Sequence, residues 1–322
     1  MSYKALPTDQ SREKPASSFT ENIQEEVLRS LPFEDRRSFE NASKGFIATL
    51  DPLTIERANG PPVLDLSKFD FLNGEAPPTV NPSLWRQAQL TAQHTGLFEV
   101  VKGIYQVRAF DIANMTLIQG ETGWIIVDPL TSSESSRAAL DLANEKIGHR
   151  EVVAVLHTHS HADHFAGVFG VISPEQAENG SIKIVAPEHF VDESLSENVI
   201  AGNAMGRRAT YMYGNLLEPS ETGFVTTGLG AALSLGTTGF AVPNDTIKKT
   251  GETRIIDGIK FEFQMTPGTE APAEFVFFLP QFSALCMSEI TSHHLHNVYT
   301  PRGAQVRDAL AWSEQINESI DR

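Results

Sequence analysis

The sequence predicts a layered α/β domain preceded by an N-terminal extension, and three observations lead there. Short β-rich runs separated by turn residues begin after Gly103. A stretch with Leu140, Leu142, Ala143 and Ile147 at roughly helical spacing follows them. An apolar strand at 152–156 then runs straight into a dense histidine cluster, which places the chemistry at a strand end.

In chain order, residues 1 to about 20 are polar, broken by Pro7 and Pro15, and read as a flexible tail. Thr20, Glu25, Glu26, Val27, Leu28 and Leu31 suggest an amphipathic helix with acids near its start, and a second helix is expected over 34–50. The segment 59–82 carries Pro61-Pro62 and Pro77-Pro78, which predicts an extended arm outside the core. Residues 1–95 are taken as the extension and 96–322 as the catalytic domain. Strands are expected at 104–110, 115–119 and 124–127 as a meander, then a helix at 132–147 and the strand at 152–156. Further strands at 182–186 and 259–265 flank a mainly helical stretch at 188–217, and two more fall at 274–279 and 283–287. Gly228-Leu229-Gly230 lacks the Lys-Ser/Thr and the strand-to-helix context of a phosphate loop, so 224–242 reads as a loop.

Composition narrows the function. Lys and Arg total 25 against 41 Asp and Glu, a net charge of −16, which argues against nucleic acid or an anionic membrane as partner. A single cysteine, Cys286, permits no internal disulfide and no multi-cysteine zinc site. The apolar runs are too short to span a bilayer and the N-terminus has no apolar signal core, so a soluble cytoplasmic protein is expected.

Seven of the ten histidines fall within 157–164 and 293–296, a distribution that solvated surface histidine does not explain. In His159-Ser160-His161-Ala162-Asp163-His164 the first two imidazoles, two apart on an extended exit from a strand, project to one side and can grip one metal. Asp163 and His164 follow where the chain turns and can hold a second. His157, before the motif, is read as a structural or supporting residue.

This motif resembles that of the metallo-β-lactamase superfamily, whose αββα sandwich is the fold it implies. In most relatives a Thr-Pro-Gly-His stretch delivers a third histidine; here, in Thr266-Pro267-Gly268-Thr269-Glu270, Thr269 holds that place and Glu270 follows. Where a bridging Asp is usual, Ser288-Glu289 stands. Together with His293-His294-Leu295-His296-Asn297 and stretches such as Asn81-Pro82-Ser83-Leu84-Trp85-Arg86, these residues resemble the alkyl sulfatases of that superfamily, over most of the chain from about Phe39 to Asp308.

The resemblance implies zinc-dependent hydrolysis of alkyl sulfate esters to alcohol and sulfate by metal-activated water. His159, His161 and Glu270 would hold one zinc, Asp163 and His164 the other, with Glu289 between them. Two Zn²⁺ are expected per chain, and no side chain is assigned a direct catalytic part. Family members run to roughly twice this length, with a dimerisation region and a further histidine ligand downstream, so the chain reads as a truncation whose second site lacks a ligand. His293, His294 or His296 would compensate or support the site, and homodimer formation is left open. A sulfate monoanion calls for guanidinium, which matches oxyanions with paired donors. Candidates are Arg302 with Asn297, and Arg207 with Arg208, surface ion pairing being the alternative. Tyr211 and Tyr213 are read as packing residues. A lactonase or thioesterase of the same superfamily, or an inactive metal-binding homologue, are the competing readings; Thr269-Glu270 argues against the first two.

Overall fold

The computed structural model describes residues 14–292 and 296–322. Most of the expected tail, and His293 and His294, lie outside the described residues. Helix α1 (Ser18–Ser30) is capped by Ser17, whose hydroxyl accepts from the Thr20 amide, and α2 covers Arg37–Ser43. The second helix is thus shorter than the predicted 34–50. Gly45 is the reason: it adopts a φ of +75°, and a Cβ there would lie 2.0 Å from the Glu99 carbonyl oxygen. The chain instead turns into strand β1 (Phe46–Ala48).

Strands β2 (Thr54–Ile55) and β3 (Leu64–Asp65) pair as a small antiparallel ribbon, followed by a 3₁₀ stretch over Leu66–Asn73 and helix α3 (Pro82–Gln93). The expected arm therefore enters the core: Val63, Leu64, Leu66, Phe69 and Leu72 are buried in one cluster with Leu117 and Trp124. The paired prolines mark its ends and conceal the apolar spacing between them. Trp85 Nε1 donates to the Gly74 carbonyl at 3.1 Å and Gln89 to that of Leu72 at 2.7 Å, which fixes the arm against α3.

Then follow β4 (Gly96–Val101), β5 (Ile104–Arg108), β6 (Met115–Gln119), β7 (Trp124–Val127), α4 (Ser133–Lys146), β8 (Val152–Leu156), the short α5 (Pro174–Glu178) and β9 (Lys183–Pro187). After α6 (Phe190–Leu195), a π-helical turn over Ser196–Ile200 and α7 (Gly202–Tyr213), the chain runs irregularly to β10 (Asp245–Ile247). Strands β11 (Thr253–Ile256), β12 (Ile259–Met265), β13 (Phe275–Leu279) and β14 (Ala284–Cys286) precede the final helix α8 (Ala309–Asp321).

The first sheet has eight strands in the order β1-β4-β5-β6-β7-β8-β9-β10, antiparallel as far as β7 and parallel from there. The second is the antiparallel β11-β12-β13-β14. Ile118, Ile125, Val127, Ala154 and Leu156 from the first meet Phe261, Phe263, Phe275 and Phe277 from the second in a shared core. Helices α3 and α4 cover the outer face of the large sheet through Trp85, Ala88, Ala139 and Leu140. On the other side, α8 packs Trp312 against Val276 and Ile290, and its Gln315 carbonyl accepts from Gln264 of β12 at 2.9 Å. The result is an αββα sandwich. Helix α8 and strand β4 carry no signal in the predicted element order.

Candidate metal centre

The site forms where the two sheets meet. Beyond β8 the chain stays extended, so that His159 bridges to Glu274 at the start of β13 and the Phe275 amide donates to the Thr158 carbonyl at 3.0 Å. The Thr266–Ala271 turn closes through the Gly268 amide and the Ala271 carbonyl at 2.9 Å, and a φ of +76° at Gly268 lets it do so. Thr269, fully buried, spends its hydroxyl within this turn, 2.5 Å from Thr266 O and 2.8 Å from Glu274 Oε2, while Glu270 projects into the cluster. After β14, Ser288 takes a left-handed φ of 50° and its hydroxyl bonds the Phe275 carbonyl at 2.6 Å, which turns Glu289 inward.

Six side chains converge. Glu270 Oε2 lies 2.7 Å from His161 Nδ1 and 3.3 Å from His159 Nε2. Glu289 spans two groups, with Oε2 3.8 Å from His159 Nε2 and Oε1 3.4 Å from His164 Nε2, and Asp163 Oδ2 lies 3.3 Å from the same His164 nitrogen. His159, His161, Glu270 and Glu289 form one group whose donor atoms lie within 4.8 Å of one another; Asp163, His164 and Glu289 form another. The Nε2 atoms of His159 and His164 are buried, have no hydrogen-bond partner and face the carboxylates of Glu270, Glu289 and Asp163, while His161 turns Nδ1 to Glu270 and Nε2 toward Glu197. Buried polar atoms are ordinarily paired, so a set of convergent lone-pair donors without partners fits a bound cation. A third group, Asp128 with His159 and His164, also meets the distance condition.

Without a metal the imidazoles and carboxylates of the cluster perturb one another strongly. Burial, then the neighbouring His164 and His161, hold the His159 pKa well below its ordinary value. Burial lowers that of His164 too, but Asp163, Glu289 and Asp128 outweigh it and raise it well above. Burial would raise the carboxyl of Asp163, yet His164 holds it low; His161 and Arg307 do the same for Glu270. Glu274 is pushed up to about 8 by burial and by the charge of Glu270.

Five supporting residues are given no role by the sequence reading. Asp128 sits just past β7 with φ 55°; its Oδ1 accepts from the Thr158 amide at 2.8 Å and its Oδ2 from the Thr158 hydroxyl at 2.7 Å and His164 Nδ1 at 2.8 Å. The Thr158 hydroxyl, having donated to Asp128, accepts from His159 Nδ1 at 2.9 Å. One carboxylate thereby holds both imidazoles through Nδ1–H and turns each Nε2 toward the cluster. Glu274 gathers the Glu270 and Ala271 amides at 3.1 and 3.2 Å. Glu197, buried in the π-helical turn, lies 3.7 Å from His161 Nε2 and 3.1 Å from Arg302 Nη1. Arg307 binds Glu270 and Asn297.

His157 does not join the cluster: its Nδ1 lies 3.1 Å from the His164 carbonyl oxygen and its ring stacks on Phe190 at 5.2 Å. His296 Nε2 stands 3.4 Å from Glu270 Oε1. Tyr213 is close enough that burial, then Asp163, raise its pKa, whereas Tyr211 is 91% exposed. Arg207 and Arg208 are exposed on α7, and none of the four headgroup candidates, Arg207, Arg208, Asn297 and Arg302, lines the cavity beside the cluster. That cavity, of about 850 Å³, is lined by His164, Glu289, Asp128 and His296 and also by Leu31, Phe33, Leu90 and Leu229.

The two facing sheets, the outer helices and the His/Asp/Glu cluster at their common edge define an αββα protein with a group of side chains that could hold a metal ion, and the comparisons with known proteins give its family. The metallo-beta-lactamase superfamily matches residues 108–318, and the chain belongs to it. It is 48% identical over 309 residues to a linear primary-alkylsulfatase of a Pseudomonas species, covering 95% of this chain and 46% of that protein. It is 44% identical over 293 residues to an alkyl/aryl-sulfatase of Saccharomyces cerevisiae, covering 91% and 45%. An experimental structure of a stereoselective inverting sec-alkylsulfatase from a Pseudomonas species superimposes with a TM-score of 0.92 at 43% identity, over 96% of this chain and 49% of the other. The chain spans about half the length of the curated relatives it matches. Among the described residues no helix is long and apolar enough to cross a membrane.

Proposed function

We propose that the chain binds two zinc ions and hydrolyses alkyl sulfate esters. The observation that carries this reading is the donor set itself: Glu270 replaces the usual histidine and Glu289 reaches both groups of the cluster, in a chain 48% identical to an alkylsulfatase. His159, His161 and Glu270 would hold one ion, Asp163 and His164 the other, and Glu289 would lie between them. Three carboxylates then offset most of the four positive charges, and the site stays near neutral within a chain of net charge −16. When bound, zinc supplies a Lewis acid that makes water nucleophilic near neutral pH.

The chain's own residues do the rest. Asp128, directly and through Thr158, engages Nδ1 of His164 and His159, so that Nε2 is the nitrogen each would offer a metal. Arg302, with one nitrogen on Glu197, and Asn297 are the candidates for the sulfate headgroup. The apolar part of the cavity, near Leu31, Phe33 and Leu229, would take the alkyl chain. Arg207 and Arg208 are exposed on α7, with the Arg208 guanidinium beside Gly303 in the loop that carries Arg302. Attack at carbon expels sulfate, a weak base that needs no protonation, and this route agrees with the inverting description of the solved relative.

Zinc analysis of the purified chain, with turnover assays on decyl sulfate, a lactone and a thioester, tests the reading. The expected result is two zinc per chain, turnover of decyl sulfate alone, and incorporation of ¹⁸O from labelled water into the alcohol. Label in the sulfate would overturn attack at carbon, and bound metal without sulfate turnover would overturn the activity.

A further inference from the structure

We infer that Arg307 is a positioning residue that couples the metal centre to the headgroup loop, an inference that rests on the function proposed above. The guanidinium is 7% exposed and most of its donors are spent. Nη2 donates to Glu270 Oε1 at 2.6 Å and Nε to the Glu270 carbonyl at 2.5 Å. Nη1 donates to the Asn297 carbonyl at 3.1 Å and to Asn297 Oδ1 at 3.0 Å. The Arg307 amide closes the same loop by donating to the Val298 carbonyl at 2.8 Å, just before Asp308 caps α8. With its donors so committed, Arg307 does not touch substrate.

Two consequences follow from where those donors go. A carboxylate with one oxygen held by a charge-assisted bond presents only the other. Oε1 of Glu270 is occupied by Arg307, so Oε2 is the atom left facing His159 and His161 at 3.3 and 2.7 Å, and Glu270 serves a cation through a single oxygen. On the second arm, the Asn297 amide oxygen is taken, so the amide offers its NH₂ outward. That is the polarity an anionic sulfate needs and a carbonyl oxygen would oppose. The same planar fork thus sets the metal ligand and the headgroup donor, which lie 27 residues apart in sequence as numbers 270 and 297. An ammonium, as a point charge without the fork, cannot hold both.

The test compares Arg307→Met and Arg307→Lys with Asn297→Ala and the double variant Arg307→Lys/Asn297→Ala, all in the full chain. Zinc affinity is measured by competition with a chromophoric chelator, and headgroup binding by KM for decyl sulfate and by calorimetric titration with its non-hydrolysable sulfonate analogue, which reads out without turnover. Arg307→Met should weaken zinc binding about 10- to 100-fold, the range for loss of a ligand's supporting partner. Asn297→Ala should leave zinc affinity unchanged and weaken decyl sulfate binding. Arg307→Lys should weaken decyl sulfate binding too, and the double variant should be no weaker than Asn297→Ala alone, because both changes remove one interaction. Wild-type zinc affinity in Arg307→Met, or additive losses in the double variant, would overturn the inference. If no variant and not even the parent turns over alkyl sulfate, the proposed activity fails, while the zinc and titration arms still decide the role of Arg307.

Discussion

Asp128→Asn is the sharpest perturbation of the centre, because it removes one atom's character and leaves shape intact. Asn tolerates the left-handed φ of 55° found there, so the backbone is not strained. Its oxygen can still accept from the Thr158 amide, as Oδ1 does now at 2.8 Å. The NH₂ then stands where Oδ2 accepts from both the Thr158 hydroxyl and His164 Nδ1, and an NH₂ cannot accept. His164 must move its proton to Nε2 to meet it. The Thr158 hydroxyl must turn to accept, and His159 Nδ1, 2.9 Å away, then receives a proton where it gave one. Both Nε2 atoms would carry hydrogen and lose the lone pair a metal needs. A supporting partner of one histidine is worth about 10- to 100-fold in metal affinity, or about 1.4–2.8 kcal/mol. With two histidines affected the loss should reach at least the upper end. Chelator competition on the metal-free chain measures it, with circular dichroism to show that the fold persists. Zinc affinity within threefold of wild type would refute the tautomer argument.

Four further outcomes are expected. Trp312→Ala empties a buried site of α8 and orphans the Ile290 carbonyl that accepts from its indole at 2.8 Å; it should cost about 3–5 kcal/mol in urea denaturation. Gly45→Ala drives a Cβ onto the Glu99 carbonyl oxygen from a left-handed φ, and should cost on the order of 1–3 kcal/mol, read as a lowered denaturation midpoint. Arg302→Ala leaves Glu197 buried with only His161 opposite, at 3.7 Å, and should lower stability by up to about 3 kcal/mol, the low end for breaking a buried pair, while raising KM for decyl sulfate. Burial would raise the carboxyl of Asp257, but the Thr122 hydroxyl and the Gly123 and Thr122 amides outweigh it and hold its pKa below the ordinary value. Its stabilisation is therefore complete above about pH 4 and is lost as pH falls through the lowered folded value, so Asp257→Asn should flatten the acid limb of a pH–stability curve.

Much of this molecule was legible from local pattern. The strands at 115–119, 124–127, 152–156 and 259–265 coincide with β6, β7, β8 and β12, because buried β-rich runs between turn residues have few alternatives. The arm at 59–82 misled for a local reason too: prolines dominate its composition, and the packing of Leu66, Phe69 and Leu72 under α3 depends on what lies beneath. Helix α8 likewise takes its place from Trp312 and Gln315 meeting the second sheet, which no window around 309–321 reveals.

The sequence alone determined which residue types meet in the candidate site, since His159, His161, Asp163 and His164 are brought together by one strand exit and Glu270 and Glu289 each follow a strand into the same cluster. The tertiary structure alone decided how those donors are held. Asp128 reaches His164 from another strand, Glu197 reaches His161 from a π-helical turn, and Arg307 reaches Glu270 from the cap of the last helix. Spacing along a chain specifies neighbours within a few residues. The proton position on an imidazole and the free oxygen of a carboxylate are set instead by buried partners 30 residues or more away, because a buried charge must be compensated wherever the fold brings a counterpart within reach.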